Sequence, residues 1–320
     1  MKTKAIRISD PDSGAIARIA PSLGMNCFEF RAMIHGQPVE VIDSPSDVLQ
    51  GQVRPSSYGI PFLFPFPNRI RCGKFQWEGQ DYEIPLAEGT PHAIHGFCLD
   101  RPWRVVSTTP DSVAGQFQLS VDAPERLACW PADFLIDVRY RVAENRLECQ
   151  FRISNPDSRP LPWGLGTHAY FRLPFGSNSQ PENCVAMVPI SEEWELEEFL
   201  PTGKRLPVEN RFALRTGARF GELQLDNVFT GWQSDGGTVR ASIFDERAGI
   251  ELTQVCDAEY FRELVAYTPP QRNAICLEPY TCVTDAINLH QRDLNTGLQV
   301  LAPGEVVQTW CALQVSPILV

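Results

Sequence analysis

The chain has 320 residues, which is enough for one large or two ordinary domains with a substantial core. Its 43% hydrophobic and 21% charged residues are typical of a globular protein. The formal net charge of −11 argues against a nucleic-acid partner, because a polyanion requires a basic surface.

The N-terminal stretch "MKTKAIRISDPDSG" lacks the apolar segment of a signal peptide, and no 18-residue apolar run could cross a membrane. Ten cysteines are scattered without a C-x-x-C pair. We therefore expect free, mostly buried thiols, a cytoplasmic location and no membrane partner. The sequence leaves open whether the protein is a monomer or a homodimer.

Short alternating runs of apolar residues predict β-strands from one end of the chain to the other. The strings "KAIRI", "AIARIA", "NCFEFRAMI" and "PVEVI" predict four opening strands, and "KFQWEGQDYEIP" predicts a hairpin that turns at residues 78–81. Residues 134–156 predict two longer strands joined at 143–146. In the second of these, one face contains four apolar side chains at period-2 spacing: Leu147, Cys149, Phe151 and Ile153.

Helical periodicity is poor, and its best candidate is the short acidic run "SEEWELEEF". Further on, "TVRASIFDERAGIELTQV" predicts two strands connected by "DERAG", and "VVQTWCALQV" predicts the last strand. The 27 prolines and 22 glycines divide the chain into short segments. These patterns favour an all-β protein with few short helices, in which residues 1–320 form a single domain of two large antiparallel sheets packed face to face. A two-domain β protein stays open.

Two polar segments interrupt this apolar pattern in the first third of the chain. Asn68 and Arg69 follow a proline-rich apolar run, where an arginine often makes only a surface ion pair. His92 and His95 have a spacing that a zinc site could use, but their segment is rich in Gly and Pro, and no third ligand is evident. We therefore expect no metal.

Two further polar residues lie in the second half of the chain. His168 follows the glycine-rich "GLGT", where a buried imidazole bonded to a carbonyl group is the commoner arrangement. Glu278 ends the apolar run "NAICLE" before Pro279, which predicts that the strand ends there, either at the rim of a cleft or in solvent.

Together these side chains could supply a general acid and a general base. The sequence contains no G-x-S-x-G elbow, phosphate loop or dinucleotide-binding motif. Acid–base chemistry without a cofactor is what remains.

Five motifs, in order, resemble the aldose 1-epimerase (galactose mutarotase-like) family: "PNRIRCGKFQWEGQDYEIP", "AIHGFCLDRPW", "GTHAYFRLP", "LDNVFTGW" and "CLEPYTCVTDAINL". The resemblance extends over essentially the whole chain. It implies a β-supersandwich with an open sugar-binding cleft, and an isomerase that interconverts the α and β anomers of a monosaccharide.

The same resemblance implies a role for each polar residue. Glu278 matches the general base that acts on the C1 hydroxyl, and His168 matches the general acid that acts on the ring oxygen. His95 matches a histidine that polarises the ring-oxygen region. The implied sugar-binding residues are Arg69, Asp226 and the neighbouring Asn68. Tyr170 or Trp232 could stack on a pyranose.

Departures from the family pattern leave the preferred sugar open. No Gly-Arg pair precedes "NRI", Phe97 follows Gly96 where many members have a second glycine, and Val265 replaces a glutamine that is frequent in galactose-active relatives. Two alternatives therefore stay open. One is a hexose-6-phosphate 1-epimerase, whose phosphate would need clustered basic groups, and the candidates are Arg54, Arg71, Arg101 and Arg104. The other is a sugar-binding or sensing protein without catalysis.

Overall fold

The computed structural model describes residues 4–50, 53–208 and 213–318. The strands of the first half are, in order, β1 (Ile6–Ser9), β2 (Ile16–Ala20), β3 (Asn26–Ile34), β4 (Gln37–Glu40), β5 (Phe62–Leu63), β6 (Arg69–Ile70), β7 (Lys74–Trp77), β8 (Gln80–Glu83), β9 (Ala93–Ile94), β10 (Arg104–Thr108), β11 (Ser112–Gln118), β12 (Leu135–Ala143), β13 (Arg146–Ser154), β14 (Leu161–Trp163), β15 (Gly166–Thr167) and β16 (Tyr170–Arg172). The helix α1 (Leu119–Asp122) follows β11.

The second half continues with β17 (Cys184–Met187), β18 (Glu192–Glu197), β19 (Leu200–Pro207), β20 (Ala218–Arg219), β21 (Asp226–Thr230), β22 (Ser234–Asp235), β23 (Thr238–Asp245), β24 (Ile250–Asp257), β25 (Glu263–Tyr267), β26 (Ala274–Tyr280), β27 (Gln299–Leu301) and β28 (Val306–Pro317). The helix α2 (Ala286–His290) follows β26. Short 3₁₀-helical segments span Val48–Gln50, Pro55–Ser57, Arg71–Gly73, Pro124–Cys129, Pro181–Asn183 and Phe220–Glu222. No helix of the described residues is long and apolar enough to cross a membrane.

Two large antiparallel sheets dominate the fold, which confirms the all-β prediction. A ten-stranded sheet has the order β10-β11-β12-β13-β28-β24-β23-β17-β20, with β22 beside β23. An eight-stranded sheet has the order β19-β18-β21-β25-β26-β15-β5, with β16 beside β26. The four predicted opening strands form, and β1–β4 pair in sequence order as a separate smaller sheet.

The core lies between the two large sheets. The Phe62 ring of β5 stacks on Tyr140 of β12 at a centroid distance of 5.7 Å and meets the edge of Phe151 of β13 at 5.2 Å. Leu147, Cys149, Phe151 and Ile153 are all buried on one face of β13, as their spacing predicts. Face-to-face packing of the sheets therefore buries the predicted apolar faces.

The predicted hairpins form, with tight turns. Glu144 and Asn145 both have positive φ, 52° and 58°, which gives the two-residue type of turn that fits the twist of paired strands. The β7–β8 turn contains only Glu78 and Gly79, so the predicted four-residue turn is too long. Gln80 and Asp81 already belong to β8.

The best helical candidate, "SEEWELEEF", is not a helix, because Glu192–Glu197 of this run form β18. The strand pairs with β19 on one side and β21 on the other. Trp194 is buried, and Leu196 packs two residues further along the same strand. Pairing on both edges and burial of these apolar side chains outweigh the helical propensity of Glu and Leu.

The prediction that Pro279 ends its strand is also wrong. β26 continues through Pro279 to Tyr280, and Glu278 is buried inside the strand. Along this edge β15 pairs at Tyr280 and β16 pairs only as far as Cys276, so the described ladder has no partner for the residues between them. Proline is tolerated where its missing N–H interrupts no ladder bond.

Candidate active site

The gap between β15 and β16 places His168 opposite Glu278. The backbone N–H of His168 donates to the carbonyl of Pro61 instead of β26, at 3.0 Å. Its Nε2 lies 3.4 Å from Oε1 of Glu278. The other carboxyl oxygen, Oε2, accepts a 2.5 Å hydrogen bond from the hydroxyl of Tyr280, which lies two residues along β26 and therefore on the same face.

Burial moves the two pKa values in opposite directions. The pKa of Glu278 is raised well above its usual value, mainly because burial penalises the carboxylate, although the Tyr280 hydroxyl partly opposes this. The pKa of His168 is lowered to about 3, mainly because burial penalises the imidazolium. Burial therefore favours the carboxylic acid with a neutral imidazole over the carboxylate with an imidazolium.

Tyr170 and Arg272 fix the orientation of the imidazole. The His168 and Tyr170 rings are parallel within 6° at a centroid distance of 4.7 Å. The Tyr170 hydroxyl donates to the carbonyl of Ser56 at 2.9 Å. The guanidinium of Arg272 lies 4.7 Å from the Tyr170 ring centroid and is held by the carboxylate of Asp43. No motif in the sequence pointed to Arg272.

His95 lies on the other side of the imidazole, with its ring centroid 5.5 Å from that of His168. It is buried and has a left-handed φ of 67°. Burial, followed by repulsion from His168 and Arg69, lowers its pKa well below the usual value. A methyl group on the next residue, Gly96, would meet the carbonyl oxygen of Phe64 at 2.1 Å, so only glycine fits there.

Asn68, Arg69 and Asp226 complete the set of predicted residues. An Nη1 hydrogen of Arg69 is donated to Oδ1 of Asn68 at 2.9 Å, and the Asn68 carbonyl accepts the backbone N–H of His95 at 2.8 Å. Asp226 begins β21 and is exposed, yet desolvation of its carboxyl raises its pKa, and attraction to Arg69 opposes the rise. Asp226 also raises the pKa of Glu278, and Arg69 lowers it. All six residues selected from the sequence therefore meet at one place.

The two aromatic residues considered for stacking on a sugar, for which core packing is the commoner fate, are occupied in other ways. The Tyr170 ring packs against His168 and Arg272. Trp232 is part of the main core and donates its indole N–H to the carbonyl of Arg240. A residue that the sequence did not single out, Phe199, lies instead at the tip of the β18–β19 hairpin, 56% exposed, with the Arg69 guanidinium 4.9 Å from its ring centroid.

The sequence comparison assigns a family to this arrangement. The family model described as aldose 1-epimerase matches residues 33–314, which include all six residues. The chain belongs to the aldose 1-epimerase family.

Solved members of the aldose 1-epimerase fold superpose over nearly the whole chain. A galactose mutarotase-like protein from Clostridium acetobutylicum has a TM-score of 0.87 at 25% identity, covering 98% of this chain and 96% of its own. The GalM/aldose epimerase homologue from C. elegans has a TM-score of 0.82 at 22% identity, covering 99% of this chain and 100% of its own. The fold is thus galactose mutarotase-like.

Relatives found by sequence are distant. The uncharacterized protein YphB of Escherichia coli is 25% identical over 258 residues, which are 79% of this chain and 82% of YphB. The galactose mutarotase of Rattus norvegicus is 26% identical over 178 residues, which are 54% of this chain and half (50%) of the rat protein. Similarity at this level does not assign the sugar.

The zinc hypothesis at His92 and His95 gains no third ligand among the described residues. Nδ1 of His92 already accepts the backbone N–H of Cys72 at 3.1 Å. A different group has ligating atoms within 4.8 Å of one another, namely His168, Cys276 and Glu278. These are the acid and base candidates of the aldose 1-epimerase site together with a buried thiol.

Three of the four arginines considered for phosphate binding are paired with carboxylates. Arg71 lies 3.9 Å from Asp285, Arg101 lies 2.5 Å from Glu125, and Arg104 lies 3.1 Å from Asp122. Arg54 instead lines a cavity of about 300 Å³ beside His95. The four arginines thus do not form one cluster at the cleft.

A cavity of about 1100 Å³ adjoins β4 and the segment after β16. Its lining includes Asp43 and Arg272 but none of the six predicted residues. Its size therefore does not mark the candidate site, which is identified by the contacts of His168 and Glu278.

Proposed function

We propose that this protein is an aldose 1-epimerase that interconverts the α and β anomers of a free aldose, with Glu278 as general base and His168 as general acid. The observation that supports this most directly is the 3.4 Å contact between His168 Nε2 and Glu278 Oε1. Two buried titratable groups at this distance that share one proton can exchange it with a substrate placed against both.

The reaction requires such a pair. To open a cyclic hemiacetal, the proton on O1 must leave while another proton reaches the ring oxygen O5. The Glu278 carboxylate accepts the first, and the His168 imidazolium donates the second. After rotation about the C1–C2 bond the two transfers run in reverse, and the ring closes on either face of the aldehyde. The pair regains its proton arrangement, so no external proton is consumed.

The electrostatics of the site favour neutral groups, both in the resting enzyme and while the sugar is open, so ring opening starts from the less favoured carboxylate–imidazolium arrangement. The opening step converts carboxylate and imidazolium into carboxylic acid and imidazole, and burial favours these neutral forms, as the raised pKa of Glu278 and the lowered pKa of His168 show. The desolvated site thereby stabilises the state that exists while the sugar is open. Both groups act from fixed positions, so little reorganisation is needed during the reaction.

The remaining residues suit the sugar hydroxyl groups. Arg69 and Asn68 offer donors, and Asp226 offers an acceptor near the base. His95 is neutral because its pKa is lowered, so it can donate from one ring nitrogen and accept at the other near the ring oxygen. The exposed ring of Phe199 offers an apolar surface to a pyranose face.

A free aldose suits the site better than a hexose 6-phosphate. Arg71, Arg101 and Arg104 are paired with carboxylates, whereas a phosphate group needs converging cations. We expect turnover of glucose to exceed turnover of glucose 6-phosphate. A clear preference for the phosphate ester would replace our proposal with the hexose-6-phosphate alternative.

Polarimetry tests the proposed reaction. Freshly dissolved α-glucose, α-galactose and other common aldoses should approach anomeric equilibrium faster with the protein than in buffer, while the Glu278→Gln variant should be close to buffer. If no aldose equilibrates faster, the epimerase proposal fails. Sugar binding without acceleration would instead support the non-catalytic alternative. We also propose a cytoplasmic setting, which the ten free thiols support.

A further inference from the structure

A buried thiol completes a three-ligand cluster with the proposed acid and base. Cys276 and Glu278 lie two residues apart on β26 and so face the same side, and Cys276 is the register partner of Tyr170 on the neighbouring strand. The ligating atoms of Cys276, Glu278 and His168 lie within 4.8 Å of one another. All three residues are buried. The acid–base reaction proposed above has no step that uses the sulfur.

We propose that His168, Cys276 and Glu278 bind a thiophilic divalent cation such as Zn²⁺, and that the bound cation inhibits the enzyme. The inhibitory part rests on the proposed epimerase function, whereas the binding part does not.

The spacing suits a tetrahedral ion. Bonds of about 2.0 Å to nitrogen and oxygen and about 2.3 Å to sulfur place neighbouring donor atoms about 3.3–3.6 Å apart. The separation between His168 Nε2 and Glu278 Oε1 is 3.4 Å. The sulfur lies within 4.8 Å of one ring nitrogen of His168 and of one carboxyl oxygen of Glu278, so a side-chain shift of about 1 Å brings it into range. The fourth position remains for water or a sugar oxygen.

Charge balance also favours a divalent ion in this desolvated place. Binding forms bonds from the metal to sulfur, nitrogen and oxygen, and any proton on these ligand atoms leaves for solvent. The bound thiolate and carboxylate carry two negative charges and the imidazole is neutral, so a divalent cation leaves the buried cluster without net charge.

The ligand chemistry selects the metal. A thiolate with an imidazole favours Zn²⁺ or Cd²⁺, whereas Mg²⁺ and Ca²⁺ prefer oxygen ligands. A bound ion uses the carboxylate oxygen that would take the O1 proton and the nitrogen that would protonate O5. Both halves of the proposed proton transfer are therefore blocked together.

The test uses Cys276→Ser, with Cys282→Ser as the matched control. Cys282 is equally buried, two residues beyond the end of β26 and outside the cluster. Both changes are made in a Cys72→Ser background, because Cys72 is an exposed thiol that would bind metal on its own. Chelator-treated proteins are titrated with Cd²⁺, whose thiolate complex absorbs in the ultraviolet, and separately with Zn²⁺ in the polarimetric assay.

We expect one equivalent of Cd²⁺ to produce the thiolate band in the parent and in Cys282→Ser but not in Cys276→Ser. Zn²⁺ should inhibit the first two proteins, Cys276→Ser should require at least about tenfold more Zn²⁺, and Mg²⁺ should have no effect. A parent protein without the band, or inhibition unchanged in Cys276→Ser, overturns the proposal. A Cys276-dependent band in a protein that accelerates no sugar supports the metal site and rejects the epimerase function, so the two failures are distinguishable.

Discussion

Two glutamates on adjacent strands of the eight-stranded sheet have similar burial and different surroundings. Glu263 on β25 and Glu278 on β26 are 3% and 2% exposed. Burial raises the pKa of both carboxyl groups, that of Glu263 to about 7. Glu263 accepts hydrogen bonds at both oxygens, from Trp194 Nε1 at 2.8 Å and from Thr230 Oγ1 at 3.0 Å.

Glu278 has a titratable group beside one of its two carboxyl oxygens, and Glu263 does not. Tyr280 donates to Oε2, whereas Oε1 faces His168, a group that can itself gain or lose a proton. Indole and hydroxyl donors do not titrate near neutral pH, so Glu263 is fixed in place without a proton-transfer partner. A raised carboxyl pKa therefore marks burial, and only a titratable neighbour turns a buried carboxyl into a candidate catalyst.

The largest predicted effect separates the two glutamates by activity. Glu278→Gln should lower kcat by about 10⁴-fold, at the upper end for loss of a general base, because an amide cannot accept the O1 proton. Glu263→Gln should keep kcat within about threefold, because Glu263 has no role in the reaction proposed here. Polarimetric kinetics measure both, with circular dichroism to verify folding. Equal losses in the two folded variants would contradict the distinction.

The second prediction concerns the titratable neighbour. His168→Asn should lower kcat by about 10³-fold, because the ring oxygen loses its proton donor. His92→Asn should be mild, since the His92 imidazole accepts a backbone N–H from Cys72 and is not one of the residues proposed to act on the sugar. Kinetics at pH 7 on these two variants and on His95→Asn provide the measurement. Equal losses at His92 and His95, with His168→Asn nearly active, would shift the chemistry away from the pair.

The sequence predicts the elements whose determinants are local. Residues 134–156 alternate with period 2 and contain a short polar turn, and they form β12 and β13 as predicted. The residues found from family motifs, from Asn68 to Glu278, also lie together, because the motifs preserve positions that the fold brings into contact. Their catalytic and binding roles stay predictions.

What the sequence did not predict depends on pairing between distant strands. Cys276 joins the site because β26 pairs with β16, and Glu263 is satisfied by residues of β18 and β21. Pro279 was expected to end a strand, but the gap between β15 and β16 removes the demand for its N–H. Neither the periodicity of apolar residues nor strand propensity predicts which distant strands pair or in which register.

The third prediction tests Glu263 through stability. Its folded pKa of about 7 exceeds its ordinary 4.5, so the folded state binds the proton more tightly than the unfolded state. The stabilisation of the folded state that results from this tighter proton binding is fully present below pH 4.5. It is lost as pH rises through 7, which lowers the free energy of unfolding by about 3 kcal/mol. Urea unfolding at pH 5 and pH 8 should show this decrease in the wild type, and a smaller one in Glu263→Gln. An equal decrease of the free energy of unfolding in both proteins would contradict the raised pKa of Glu263.

The smallest predicted effect concerns the Tyr280 hydroxyl, which bonds the other carboxyl oxygen of Glu278. Tyr280 donates to Oε2, which stabilises the carboxylate and lowers the pKa of Glu278. In Tyr280→Phe this pKa should rise, so the shared proton spends more time on Glu278 and less on His168. We expect kcat to fall by about tenfold at neutral pH, within the range for loss of a hydrogen bond to a charged group. Tyr140→Phe is the matched control, because its buried hydroxyl has no hydrogen-bond partner among the described residues.

The pH profile of Tyr280→Phe tests whether one proton is shared. On the plateau below the pKa of Glu278 the pair holds one proton, the reactive form, carboxylate with imidazolium, is a fixed fraction of that state, and the variant reduces that fraction. Above the pKa of Glu278 the carboxylate is already free, and the reactive fraction depends only on the pKa of His168, so the two activities should converge. A tenfold plateau loss must then accompany an upward shift of the alkaline limb by about one pH unit, since both express the same 1.4 kcal/mol. A tenfold loss that persists unchanged at alkaline pH, measured in chelator-containing buffer, would show that Tyr280 acts on binding or packing instead of on the proton.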